Sequence, residues 1–195
     1  PIPEGGKAVD VVSTATGYAV AAAISAEGIS RAALILTNAE GFETETNIFG
    51  TNYVPKAICR SADGTLAIVG KWITDPAPAV PPSKIFVQKF SSAAESLWTC
   101  IVGDTTRHTG CDIISTADGY VVAGERYTAS INRFSNIYLA KVSTSGTITW
   151  TKHYFDQGYV AFAITATGDG FTGAGLRRRL PSMEPNWLIF SIDGD

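Results

Sequence analysis

Residues 112–124 read DIISTADGYVVAG, a strand pattern that reaches a tight Asp-Gly turn and continues as a second strand. Three other stretches follow the same pattern: DVVSTATGYAVAA from Asp10, AICRSADGTLAIVG from Ala57 and AITATGDGFTGAG from Ala163. Their turn glycines are spaced by 47, 55 and 51 residues, at Gly17, Gly64, Gly119 and Gly170. A period of roughly 40–50 residues is typical of one four-stranded unit in a radially repeated β protein.

Each copy continues beyond this hairpin with further strand patterns. The third strands are AALILT from Ala32, KIFVQKF from Lys84, NIYLAKV from Asn136 and NWLIFSI from Asn186. The fourth strands of the first three copies end in TNIFG, LWTCIVG and ITWTKHYF, whereas the fourth copy reaches only SIDGD. The strands are apolar on both faces, which indicates sheets that are buried on both sides.

These features predict an all-β fold: a β-propeller of about four blades, each of four antiparallel strands, with the last blade incomplete within this chain. We expect one propeller domain or segment over residues 1–195, with blades at approximately 7–50, 54–103, 109–156 and 160–195.

The units resemble the short β-propeller repeats of secreted bacterial and archaeal surface proteins, which combine an Asp-Gly-Tyr turn, a Val-Ala-Gly strand and a tryptophan in the fourth strand. The best copy runs from Ile114 to Trp150 and contains STADGYVVAG and IYLAKVSTSG. The first copy departs with Glu45 in place of the tryptophan, and the second with Ala94 in place of a turn glycine. The resemblance implies the propeller fold, and with it an adhesion, scaffold or binding role.

The composition favours an extracellular or cell-surface protein. Charged residues make up only 17% of the chain, against about 25% in typical domains, and the many serines and threonines are candidate O-glycosylation sites. A net charge of −3 argues against a nucleic-acid partner, and no apolar stretch is long enough to span a membrane. Of the three cysteines, Cys100 and Cys111 could form a disulfide; alternatively all three, with Cys59, are small buried side chains.

The third strand of the fourth copy predicts an apolar sheet edge. Its residues are Trp187, Leu188, Ile189, Phe190 and Ile192. Because a bare edge strand is a template for further pairing, we expect something to cover it. Either the chain is an excerpt of a larger ring or truncated, or a second subunit completes the sheet in a homo-oligomer or filament.

The loops that join second to third strands, and fourth strands to the next blade, share one face of a propeller. They carry aromatic and arginine residues that suit a carbohydrate, an anionic polymer or a protein partner. The candidates are Trp72, Arg126, Tyr127, Arg133, Arg177 and Arg178, and Asp104 lies in the same set of loops beside Arg107 and His108. The alternative is that these loops are solvated and pack on one another.

No catalytic motif is evident. Asp63, Asp118 and Asp169 occur singly in turns, where aspartate satisfies backbone amides, so we predict no metal site and no cofactor. His108 and His153 lack a serine or cysteine partner in a recognisable motif. The sequence predicts a non-enzymatic extracellular structural module, a surface or filament subunit completed by another chain or segment. The alternative is a ligand-binding propeller that recognises glycans or a protein partner on the loop face.

Overall fold

The computed structural model describes residues 6–26, 28–77, 82–127, 135–154, 159–168, 170–178 and 185–193. These residues form fifteen β-strands, arranged as three four-stranded sheets and one three-stranded sheet. Of the part of the chain that is described, no segment forms a helix that could cross a bilayer.

Each sheet is an antiparallel meander in which strands follow one another in chain order. Blade 1 contains β1 (Gly6–Ser13), β2 (Gly17–Ala26), β3 (Ile29–Asn38) and β4 (Glu43–Phe49). Blade 2 contains β5 (Tyr53–Arg60), β6 (Leu66–Ile73), β7 (Ser83–Phe90) and β8 (Ser96–Val102). Blade 3 contains β9 (Arg107–Thr116), β10 (Gly119–Tyr127), β11 (Ser135–Ser143) and β12 (Ile148–Tyr154). Blade 4 contains β13 (Tyr159–Ala166), β14 (Gly170–Arg178) and β15 (Pro185–Asp193).

The sheets stack face to face with an apolar layer between each neighbouring pair. Ile68 belongs to the layer between blades 1 and 2, while the next residue, Val69, belongs to the layer between blades 2 and 3. A third layer, which includes Val121 and Phe171, joins blades 3 and 4. The first strands β1, β5, β9 and β13 contact one another in turn, as the inner strands of successive blades do. The predicted propeller, with sheets buried on both faces, is therefore confirmed.

Every inner strand has one β-bulge at the same place in the repeat. The residues skipped by the pairing are Val9, Lys56, Cys111 and Phe162. A bulge inserts one extra residue and bends the strand. The bulges therefore place one additional side chain per blade on the strands that line the axis.

The hairpin turns use the residues expected of them. The Oδ1 atom of Asp63 accepts hydrogen bonds from the backbone nitrogen of Thr65 at 3.0 Å and from its hydroxyl at 2.7 Å. Ala94, which replaces a turn glycine, adopts a left-handed φ of 62°, close to the 86° of Gly41 and Gly146. The backbone of this turn is thus retained although its glycine is not. Asp169 lies outside the described residues.

Strand β15 forms the free edge of blade 4 among the described residues. Leu188, Phe190 and Ile192 pack toward blade 3, whereas the other two apolar side chains, Trp187 and Ile189, are 84% and 79% exposed. The strand therefore has one face in the core and one apolar face in solvent. Whether another chain pairs with this edge stays a prediction.

Candidate functional site

A groove of about 400 Å³ opens between the outer strands of blades 2 and 3. One end is formed by Gly103 and Asp104, which follow β8, and by Arg126 near the end of β10. This end lies on the face that carries the predicted binding loops. The remaining lining residues come from β11 and β12, and they are Tyr138, Ile148, Thr151 and His153.

The register of β11 and β12 explains why these side chains share one wall. His153 is paired with Tyr138, and Thr151 with Ala140, so all four side chains project from the same face of the sheet. Tyr138 and Ala140 belong to the layer between blades 2 and 3. From Ile148 to His153 the outer strand extends for about 16 Å.

An ion pair fixes the polar end of the groove. A terminal nitrogen of Arg126 lies 2.9 Å from Oδ2 of Asp104, and Nε of Arg126 donates to the hydroxyl of Thr106 at 3.3 Å. Oδ1 of Asp104 accepts from the backbone nitrogen and the hydroxyl of Thr106, both at 2.7 Å. Partial burial alone would raise the pKa of Asp104, but the hydrogen bonds from Thr106 and Arg126 outweigh it and hold the pKa at about 2. Asp104 is therefore an anion at neutral pH, and half of its side chain is exposed.

His108 lies behind this ion pair and is fully buried. Its Nδ1 is 3.0 Å from the carbonyl oxygen of Thr106, and its ring packs edge-on against Tyr138 with centroids 4.7 Å apart. Its Nε2 is 3.9 Å from Oδ1 of Asp104 and makes no hydrogen bond within the part of the chain that the structure describes. Burial lowers the pKa of His108, so the imidazole is neutral at pH 7.

The groove therefore offers an ionised carboxylate, a guanidinium and the exposed imidazole of His153 beside an apolar side chain, Ile148, with the buried phenol of Tyr138 at its base. Burial raises the pKa of Tyr138, so its hydroxyl stays protonated and can donate. Among the described residues, no three histidine, cysteine or carboxylate side chains lie close enough together to hold a metal ion.

A second cavity, of about 670 Å³, lies at the opposite end of the inner strands. Its walls carry hydroxyl and apolar side chains together with Arg60, and its lining includes Ser13, Ser61 and Ser115. It has no counterpart of the ion pair between Asp104 and Arg126. We therefore take the groove between blades 2 and 3 as the candidate site.

Of the predicted site residues whose side chains the structure describes, Arg126 alone lines this groove. Trp72 packs edge-on against Tyr53 with ring centroids 6.3 Å apart, next to the layer between blades 1 and 2. Tyr127 lies under the guanidinium of Arg107, 4.2 Å from its carbon to the ring centroid. Arg133 lies outside the described residues. Arg177 and Arg178 lie on β14, paired with Tyr159 and with Pro185 respectively.

The sequence analysis missed Tyr138, Thr151 and His153 as site residues. Tyr138 occurs in IYLAKV and Thr151 in ITWTKHY, which were assigned only as third and fourth strands, while His153 was considered only as a member of a catalytic triad. The alternation of Thr151 and His153 along β12 was the available signal, because residues two apart share a face of a strand.

All three cysteines are free thiols, so Cys100 and Cys111 do not form a disulfide in this structure. Burial raises the pKa of all three, to about 12 for Cys59 and Cys111. Because the thiolate is the reactive form, these are unreactive side chains at neutral pH.

Comparisons with known proteins show the fold. No protein family and no curated protein matches the chain. Among solved structures, a subtype N10 neuraminidase-like protein from A/little yellow-shouldered bat/Guatemala is similar with a TM-score of 0.59 and 11% identity. The match covers 95% of this chain but only 56% of that protein. An exo-1,5-alpha-L-arabinanase from a bovine ruminal metagenomic library is similar with a TM-score of 0.48 and 10% identity. That match covers 97% of this chain and 75% of the arabinanase. A protein of unknown function from Bacteroides caccae is similar with a TM-score of 0.41 and 10% identity. That match covers 99% of this chain and 80% of the Bacteroides caccae protein.

The neuraminidase-like protein and the arabinanase are propellers, but no repeat type or sequence family is identified for this chain. The prediction of a non-enzymatic structural module is wrong, whereas the pairing of the β15 edge with another chain stays a prediction. The finding that overturns the structural module is the match to a neuraminidase-like protein, whose name refers to an enzyme. The physical reason for the error is that an exposed apolar edge strand indicates only that the sheet can pair further. It carries no information about function, which depends on side chains elsewhere in the fold.

Proposed function

We propose that the chain forms the propeller of a carbohydrate-active protein of the glycosidase type, and that the groove between blades 2 and 3 binds the sugar. The observation that carries the proposal is the convergence of Asp104, Arg126, Tyr138 and His153 in one groove of about 400 Å³. A volume of roughly 300–1,000 Å³ is usual for small-molecule sites.

The chemistry of the lining suits a polyhydroxylated ligand. An ionised carboxylate accepts hydrogen bonds from neighbouring hydroxyl groups, and a guanidinium held in place by Asp104 and Thr106 donates in a fixed plane. Ile148 is 40% exposed and offers an apolar surface to a sugar ring.

The protonation state of Asp104 limits its chemical role. In the common two-carboxylate mechanism of glycoside hydrolysis, one acid must stay protonated while the other is ionised. With a pKa of about 2, Asp104 can serve only as the ionised group. Among the described lining residues it is the one carboxylate, so the described part of the groove supplies the ionised group and no second carboxylic acid.

The test is a screen of neutral and acidic oligosaccharides by isothermal titration calorimetry, with release of reducing sugar followed in parallel. We expect Asp104→Asn and Arg126→Met to weaken sugar binding by about tenfold to a hundredfold, the range of a lost charge-assisted hydrogen bond. The matched control is Asp118→Asn, because Asp118 forms an equivalent ion pair with Lys141 at 2.7 Å, next to the Asp-Gly turn of the same blade.

Binding that survives in Asp104→Asn and Arg126→Met, or that falls equally in Asp118→Asn, contradicts the assignment of the groove. Failure of every oligosaccharide to bind the unaltered protein contradicts the carbohydrate proposal itself.

A further inference from the structure

One face of blade 4 is open to solvent and carries apolar side chains from all three of its strands. The pairing register puts Ala163, Ala174 and Ile189 in one row across β13, β14 and β15. In the next row Leu176 pairs with Trp187. Both alanines are exposed, and Ile189 and Trp187 are 79% and 84% exposed. These side chains form the outer face of blade 4, on the opposite side of the sheet from blade 3.

The same position of the repeat is completely buried in the other three blades. The cross-strand pair of Ala174 and Ile189 has a counterpart in each of them, and all six of those side chains are 0% exposed. Each counterpart belongs to the apolar layer that is shared with the next blade. The counterparts are Ala21 with Leu34, Val69 with Val87, and Ala123 with Leu139. A face built in this way packs against the face of another β-sheet.

The polar part of the outer face carries hydroxyl groups. Thr165, Thr172 and Ser191 form a third row across the sheet, and the hydroxyls of Thr172 and Ser191 are 3.2 Å apart and hydrogen-bonded to each other. No charged side chain lies on this face among the residues whose side chains the structure describes. Two copies of the face can therefore approach each other without repulsion between like charges.

Blade 1 cannot supply the covering sheet from a second copy of the chain. Its face directed away from blade 2 is already buried, with Ala22 and Ala33 at 0%, Ile24 at 8% and Ile35 at 4% exposure. A head-to-tail contact between blade 4 of one copy and blade 1 of the next would need that face to be open. Two copies can therefore use the outer face of blade 4 only by bringing it against itself, which is an isologous contact.

We propose that the outer face of blade 4 is the interface of a two-fold symmetric dimer of this chain. With the two-fold axis parallel to the strands, β15 of one copy lies over β13 of the other, so that the bulky Ile189 and Trp187 pack over the alanine row. The sheets stack face to face and exchange no backbone hydrogen bonds, which distinguishes this contact from pairing along the β15 edge. The interface is separate from the groove between blades 2 and 3 and does not depend on sugar binding.

The test is sedimentation equilibrium of the whole chain over a series of protein concentrations. We expect a dimer of twice the 20.6 kDa chain mass that dissociates on dilution. Ala174→Lys places a charge at the centre of the face, on the middle strand β14. Because dimerisation would bury one unpaired ammonium group from each copy, the dissociation constant should rise by at least about a hundredfold. Ala174 is exposed in the single chain, so this variant leaves the fold of each copy intact.

The matched control is Leu97→Lys, which places the same charge at another exposed apolar position, 51% accessible, on the outer strand β8. It should leave the dissociation constant unchanged. The proposal is overturned by a monomer at every concentration, by a mass that grows beyond the dimer, or by equal dissociation of the two variants. An undiminished dimer in Ala174→Lys also overturns it, and would indicate pairing along the β15 edge instead.

Discussion

The carboxylate of Asp112 in blade 3 accepts a hydrogen bond from the backbone nitrogen of Ile164 in blade 4, with Oδ2 2.8 Å from that nitrogen. Oδ1 of the same side chain accepts from the backbone nitrogen of Ile113 at 2.8 Å. Asp10 makes the same connection from blade 1 to Ile58 in blade 2, at 2.9 Å. Each aspartate directly follows a bulge, where the strand leaves backbone amides unpaired.

Replacing Asp112 with alanine should therefore destabilise the contact between blades 3 and 4. The variant leaves two partly buried backbone amides without an acceptor, so we expect the free energy of unfolding to fall by about 2 kcal/mol. Urea denaturation at pH 7 measures this change. The control is Asp75→Ala, an exposed carboxylate that accepts a hydrogen bond from a nearby loop amide, that of Ala77. Equal losses in the two variants would show that the bridge between the blades contributes nothing.

The repeat and its turns could be read from the sequence because they depend on short-range features. The Asp-Gly turns, the two-sided apolar strands and the position of Ala94 in a glycine turn all follow from residues close together in the chain. The bridges from Asp10 and Asp112 could not be predicted, because they depend on a bulge and on the neighbouring blade. Their signal was present: aspartate begins the first and third repeats, while Ala57 and Ala163 begin the other two.

The groove was predicted only in part for the same reason. Arg126 and the loop of Asp104 were recognised on the loop face, but their ion pair joins residues 22 positions apart in two different blades. Tyr138 and His153 reach the groove through the pairing of β11 with β12. Such a site is created by the docking of sheets, which local sequence patterns do not specify.

Because His108 is buried, we expect the free energy of unfolding to fall in mildly acidic solution. Its pKa is lowered in the folded state, so the unfolded chain binds more protons as the pH falls. Its contribution to stability is complete above pH 6.5 and is lost as the pH falls through the folded pKa. Urea denaturation between pH 7.5 and pH 4.5 measures the effect. His108→Phe preserves the edge-on packing against Tyr138 and should give a flatter pH profile; an unchanged profile would exclude His108 as the titrating group.

The ion pair of Asp104 leads us to expect a second fall in the free energy of unfolding, at lower pH. Its pKa falls from 3.8 to about 2 on folding, so its stabilising effect is complete above pH 3.8 and disappears as the pH approaches 2. The full shift corresponds to about 2.4 kcal/mol, which we reduce to about 1 kcal/mol because half of the side chain is exposed. Measurement of the Asp104 carboxyl shift by NMR tests the value directly. Arg126→Met should raise this pKa, and no movement would show that the ion pair has no effect on it.

Alanine substitutions at Gly146 and Gly41 can be compared to test the contact between blades 2 and 3, because the two glycines have the same backbone conformation but different surroundings. Both have a φ of 86°, so alanine at either position carries the cost of a left-handed backbone, about 1–2 kcal/mol. A Cβ atom at Gly41 would contact nothing within 4 Å, whereas at Gly146 it would lie 2.9 Å from Cδ2 of Trp98. Trp98 is itself held in place, since its Nε1 donates to the carbonyl oxygen of Thr144 at 3.0 Å.

Gly146→Ala should therefore cost more than Gly41→Ala, by about 1–3 kcal/mol in the free energy of unfolding, because the indole has to move. Urea denaturation of the two variants measures the difference. In the background of Trp98→Ala the obstacle is gone, so the two glycine substitutions should then cost the same. A difference that persists without the indole would mean that Trp98 does not pack on this turn.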